Sequence, residues 1–443
     1  MNVARINLSH GADSEHARRI QTIRRLAERL STTVAILIDI PGPKYRVGNI
    51  AGGSTVLTKG AQLTLTTKDV EGNGKVVSVN FSTLPQDVKP GDAVVLSDGA
   101  IHLKALEVTQ TEVKCRVVVG GLLTPGRGIV VPGVPISRPY VTDHLLDDIN
   151  FAVGQKPDYI ALSFVNRPED VKQVRDILQH RGSDVPVIAK IERKQAFAGF
   201  DKLLAASDGI MVARGDLGVD IAVEKVPLAQ KEIIEKCNRV GKPVITATQM
   251  LESMVEMPIP TRAEAADVAN AVLDGSDAIM LSGETAVGKY PVETVKMMGR
   301  IALEAEAAIP HDEILHGRRN EASPEVDDAT ARAACQIAHQ VGARAITTFT
   351  TGGTTPLRVS KYRPSQPIIA VTPSDNTLRR LCLAWGVLPL RRPEPLSLEE
   401  VFEQATEVAL ATRVATKGDL ILITAGLPLA VPGSTNLVKV HRV

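Results

Sequence analysis

Seven short apolar runs, each followed by a helical stretch, constrain this chain more than any other feature. They are Val3–Leu8, Val34–Ile40, Tyr159–Ser163, Val187–Ile191, Gly209–Val212, Val244–Ala247 and Ala278–Leu281. Repeated strand–helix units of this kind demand parallel strands buried on both faces. Eight such units close a (β/α)8 barrel, so seven predict most of one. Ile20, Ile23, Leu26, Ala27 and Leu30 recur at helical spacing in the first helix, with Asp13 or Ser14 available as its cap. The arginines of that helix (Arg18, Arg19, Arg24, Arg25, Arg29) read as a solvated face. Polar residues collect at the carboxyl ends of the runs: Arg5, Asn7, Ser9, Asp39, Ser163, Lys190, Glu192, Arg214, Asp216, Thr248 and Glu284. That rim is where sites form in such barrels.

Two other regions differ. From about Pro43 to Ser137 the pattern alternates in short runs, such as Gln62–Thr66, Ala93–Leu96 and Val113–Val117, with Gly and Pro between them. This predicts a small all-β domain inserted after the Asp39 strand, placed as a lid. After the polar stretch Gly317–Asp327, strands and helices alternate again, predicting an open α/β sheet domain. The expected division is 1–42 with 138–312 for the barrel, 43–137 for the lid and 322–443 for the C-terminal domain.

The formal net charge of +1 over 443 residues suggests no nucleic-acid or membrane-surface partner. No apolar run approaches the roughly 20 residues that span a bilayer. The four scattered cysteines (Cys115, Cys237, Cys335, Cys382) suit reduced thiols in a cytoplasm.

Side chains two apart on a strand face the same way, so Lys190 and Glu192 share a point in space. Read as a strand tip, Arg214 and Asp216 are placed alike. Two carboxylates suit Mg²⁺, which keeps waters and binds substrate oxygens. Lys190 beside them stays charged and serves as an electrostatic stabiliser rather than a Schiff base. The glycine turn at Gly215 can offer backbone N–H groups to a carboxylate. Thr248 reads as a helix cap or as a holder of water. Asn7, Ser9 and Asp39 offer oxygens for a monovalent cation, and the Lys44 ammonium could occupy or neighbour that region. The loop Thr350, Thr351, Gly352, Gly353, Thr354, Thr355 can form a phosphate nest, or a plain turn.

The segments Lys190-Ile-Glu192, Ala213–Gly218, Ala247–Met254, Pro260–Asn270, Met280–Thr285 and Asn2–Gly11 together resemble the pyruvate kinase family. The resemblance runs over essentially the whole chain. It implies phosphoryl transfer between phosphoenolpyruvate and ADP, giving pyruvate and ATP, by a cytoplasmic homotetramer. It implies Mg²⁺, with Mn²⁺ as a substitute, on Glu192 and Asp216. Lys190, Arg5 and Thr248 become catalytic, and Ala213, Arg214, Gly215, Asp216, Ser163 and Arg46 substrate-binding, with Asp98 from the lid. The 350–355 loop falls where the family binds phosphorylated effectors. Many members carry an acidic residue where this chain has Lys44, and the lysine implies that K⁺ is not required. The family also carries a first barrel strand and helix ahead of the position matching Met1, so the expected barrel lacks them. Competing readings are a different Mg²⁺-enolate barrel lyase and an inactive truncated relic or regulatory subunit.

Overall fold

The computed structural model describes residues 1–135, 137–317, 324–429 and 435–443. The expected connection Gly317–Asp327 and the boundary at 322 fall partly on residues 318–323, which lie outside the described residues.

All seven expected strands form one parallel sheet in chain order: Val3–Asn7, Ala35–Ile40, Tyr159–Leu162, Val187–Ile191, Gly209–Ala213, Val244–Ala247 and Ala278–Ile279. Alternation along each strand makes two cores. Ile36, Ile38, Ile160, Val187, Ala189, Ile210 and Val212 face outward and pack with helical Val171, Val174, Ile233 and Ile234. Leu37, Tyr159, Ala161, Ile188, Met211, Ile245 and Ala247 face inward and form a separate cluster. The inward face also carries the polar residues, because Asp39 and Lys190 lie two positions beyond Leu37 and Ile188. The first helix, Asp13–Arg29, departs from expectation at its start. Its cap position is Ala12 and no side chain caps it. Asp13 and Ser14 fall inside the first turn, where Asp13 instead complements the positive end of the helix dipole.

Residues 43–135 are all-β apart from single turns of helix. A seven-stranded, mainly antiparallel sheet encloses Leu63, Leu65, Val94, Leu96, Leu103, Val113 and Val117. The chain enters this domain through Pro41–Gly42–Pro43. A Cβ at Gly42 would fall 1.9 Å from the Ser163 carbonyl oxygen, so only glycine fits there.

The C-terminal sheet has five strands in the order Val387–Arg391, Ile368–Thr372, Ile346–Phe349, Leu420–Gly426, Thr435–Arg442, the last antiparallel. One element was not anticipated, the helix Leu398–Ala411. It is capped by Ser397 and buries Val401, Ala405 and Val408. No helix among the described residues is long and apolar enough to cross a membrane.

Arg363 fastens this domain to the barrel. Its guanidinium donates to Asp277 Oδ1 at 2.9 Å, Asn238 Oδ1 at 2.7 Å and the Gly275 carbonyl at 2.7 Å. Both Arg363 and Asp277 are buried. Arg363→Ala leaves Asp277 without its cation and is expected to destabilise by about 3 kcal/mol, the low end for breaking a buried pair, since the Val244 and Trp385 amides still reach it. Calorimetry should show a lower Tm; an unchanged Tm would contradict this account of the junction.

Candidate active site

Four charges alternate in sign across the inner face of the sheet. Arg5 donates from Nε to Asp39 Oδ2 at 2.8 Å and approaches the same oxygen with Nη2 at 2.7 Å. Lys190 Nζ lies 3.2 Å from Asp39 Oδ2, 2.9 Å from Glu192 Oε1 and 2.7 Å from Ser163 Oγ. Ser163 in turn donates to Asp39 Oδ1 at 3.1 Å. Lys190 is 8% exposed, and Asp39 and Glu192 1% each. Burial opposes the Lys190 charge, but Asp39 and Glu192 outweigh it and hold the ammonium above the ordinary lysine range. For Asp39, burial pushes the carboxyl up, while Lys190 and Arg5 pull it below the usual range. Lysine and aspartate therefore both stay ionised.

Glu192 differs. Its Oε2 accepts the Phe164 amide at 2.6 Å. Burial raises its carboxyl, Lys190 opposes, and neighbouring Asp216 raises it further. Two carboxylates that repel one another, one buried and one partly exposed, favour a cation between them. Among the described residues no group of three or more His, Cys, Asp or Glu could hold a metal ion. A divalent ion on Glu192 and Asp216 would take its remaining ligands from water or substrate, which fits Mg²⁺.

Lys44 is not where the sequence reading grouped it. Its ammonium meets Asp216 Oδ1 at 2.7 Å and Asp98 Oδ1 at 3.3 Å, above the Phe164 ring. The cations beside Asp39 are Arg5 and Lys190 instead. The reason is the Pro41–Pro43 segment, which carries Lys44 past Phe164 to the edge of the inserted β domain. Asn7 and Ser9 remain near Asp39: Asn7 is its register partner, and Asn7 Oδ1 accepts the Ser9 amide.

Arg214 corrects a second expectation. The strand ends at Ala213, and Arg214–Asp220 is helical. Residues two apart on a helix diverge rather than align. The Arg214 guanidinium turns inward to Asp267 at 2.7 Å and to the Thr248 carbonyl at 2.6 Å, leaving Asp216 at the mouth with Lys44 as its cation. In this arrangement its guanidinium braces the turn. The Gly215 amide donates to Thr248 Oγ1 at 2.9 Å, and the Thr248 hydroxyl donates to the Ala247 carbonyl.

Backbone strain gathers here. Nine described non-glycine residues have positive φ, and five of them surround this mouth: Ser97, Asp98, Phe164, Thr248 and Gln249. Such conformations concentrate at functional sites.

Arg46 lies in the strand Tyr45–Arg46 of the inserted β domain and donates to the Gly126 carbonyl at 2.9 Å. Thr350–Thr355 is remote from the quartet. The Gly353 amide there donates to Thr350 Oγ1, and a helix starts at Thr354. Tyr140 is a neighbour that sequence reasoning missed. Its buried hydroxyl donates to the Ser163 carbonyl at 2.8 Å, and burial, Asp170, Glu192 and Asp39 keep it protonated. Only the scarcity of aromatic residues in the chain could have drawn attention to it.

Residues 1–295 match the family model for the pyruvate kinase barrel domain, and residues 328–441 that for the pyruvate kinase alpha/beta domain. The chain is 47% identical over 444 residues to a pyruvate kinase of Geobacillus stearothermophilus, covering all of this chain and 76% of that protein. It is 44% identical over 445 residues to a pyruvate kinase of Staphylococcus aureus strain MRSA252, with the same coverage. The alternative of a different enolate lyase finds no support in these matches. The chain belongs to the pyruvate kinase family.

Proposed function

We propose that Lys190 is the group about which this chain carries out the family's phosphoryl transfer from phosphoenolpyruvate to ADP. The observation that carries the reading is the buried ammonium held between Asp39, Glu192 and Ser163. It is fixed in place before substrate arrives, so no reorganisation is needed when charge develops on the transferring phosphoryl and the enolate oxygen. Arg5, locked on Asp39, faces the same phosphate. Glu192 and Asp216 would hold Mg²⁺, or Mn²⁺ in its place, which supplies charge neutralisation at the phosphoryl oxygens. For that, Lys44 must share Asp216 or move toward Asp98. The Gly215 amide reaches a substrate carboxylate only by leaving Thr248, which frees the Thr248 hydroxyl to hold a water. Ala213 and Ser163 shape the floor of this recess, and Arg46 closes with the lid. Pyruvate formation from phosphoenolpyruvate tests the reading: it should require ADP, whereas ADP-independent turnover would indicate lyase chemistry and no turnover at all an inactive relic.

K⁺-independence belongs to the same proposal. A free monovalent cation near Asn7, Ser9 and Asp39 would meet the fixed charges of Arg5 and Lys190, with Lys44 close at the mouth. Activity with KCl replaced by a bulky organic salt of equal ionic strength should be unchanged. A strong K⁺ requirement would overturn it. The family resemblance further supports a cytoplasmic homotetramer, with 350–355 as an effector loop.

A further inference from the structure

We propose that the C-terminal domain supplies the floor of the catalytic barrel, with Leu383 as a positioning residue for Asp39 and Lys190. The proposal rests on the reading of Lys190 above. Leu383 is 1% exposed, yet the buried apolar cluster it joins is the barrel's and not that of its own domain. It packs in one cluster with Leu37, Tyr159, Ala161, Ile188, Met211, Ile245 and Ala247, the inward side chains of the barrel strands.

The turn Leu381–Leu383 lies across the amino ends of those strands. Arg379 Nε donates to Asp158 Oδ1 at 2.7 Å, and Tyr159 donates its hydroxyl to the Arg380 carbonyl at 2.7 Å. Arg380 Nη2 reaches Asp184 Oδ1 at 3.2 Å, and the Trp385 amide reaches Asp277 Oδ1 at 3.3 Å. Residues 158, 184 and 277 each stand just ahead of a barrel strand. Between these bonds Leu383 enters the interior from below.

The charged layer sits directly on this floor. Leu37 and Ile188 precede Asp39 and Lys190 by two positions, so they share their faces. Leu37 is the register partner of both Arg5 and Tyr159. Close-packed interiors transmit displacements rather than absorb them. A vacancy under Leu37 and Ile188 therefore lets Asp39 and Lys190 settle away from the place where the phosphoryl forms. The same segment also meets the 350–355 loop: Thr377 donates to the Thr351 carbonyl, and Gly353 lies against Thr377 and Leu381.

The test is a graded series in the full chain: Leu383→Met, Leu383→Val and Leu383→Ala, with Lys190→Met alongside. The expected result is kcat falling with side-chain size, on the order of tenfold to a hundredfold by alanine. KM values should barely move, and Leu383→Met should stay near the parent. Amide exchange of 35–40 and 187–191 should quicken in step. If the alanine variant does not fold, the valine and methionine variants carry the same comparison. A flat kcat across the folded variants, or an effect on KM alone, overturns the proposal. An active Lys190→Met removes the site reading and this proposal with it, whereas an inactive Lys190→Met with a flat Leu383 series removes the floor alone.

Discussion

Lys190→Met is expected to lower turnover by about a thousandfold while leaving the fold intact. One preorganised donor at a developing negative charge is worth about 10²–10³ in rate, and a cation at a transferring phosphoryl about 10³–10⁵. Methionine keeps the length and the packing on the strand but carries no charge. Asp39 retains Arg5 and Ser163, so it does not become an isolated buried anion. Glu192 loses the cation that opposes its raised carboxyl. It will therefore be protonated over a wider range, and bound divalent metal should be lost at a higher pH than in the parent. Pyruvate formation at saturating substrates, with circular dichroism as the check on folding, measures the first effect. Metal titration at descending pH measures the second. Turnover within tenfold of the parent would falsify the assignment of Lys190.

Glu192→Gln should be the second largest loss, on the order of a hundredfold to a thousandfold. The amide can still accept the Phe164 N–H through its oxygen, so the local backbone has no reason to shift. What disappears is one of the two carboxylates available to a divalent ion, with the charge that pairs with Lys190. A ligand that binds the folded state raises Tm by mass action. Mg²⁺ should therefore raise the Tm of the parent and leave that of the variant unmoved. This readout does not depend on turnover. A variant that keeps both its Mg²⁺ response and its rate shows that the ion is held elsewhere.

Much of this was legible from two-residue periodicity. The inward positions of the sheet could be counted from the apolar runs, and that count places Arg5, Asp39, Ser163 and Lys190 on one surface. Where a strand ends is harder to see. Arg214 and Asp216 look like a continuation of Gly209–Ala213, yet the chain turns helical at Arg214, and the two side chains part. Lys44 was misplaced for a related reason, since periodicity carries no information through Pro41–Pro43. The helix Leu398–Ala411 carries a readable signal, a Ser397 cap followed by Val401, Ala405 and Val408. Leu383 left none. Nothing local distinguishes a leucine that serves its own domain from one that enters another.

Asp39, Lys190 and Glu192 lie almost wholly out of reach of dissolved ions, whereas the two acids that clasp Lys44, Asp98 and Asp216, have side chains 61% and 31% exposed and stand at the water's edge. Counter-ions weaken attraction between exposed charges far more than between enclosed ones. Brine should then loosen the clasp at the entrance long before it disturbs the chemistry beneath. Rising saltiness should be felt in how readily reactants come and go, not in the speed of the bond-making step.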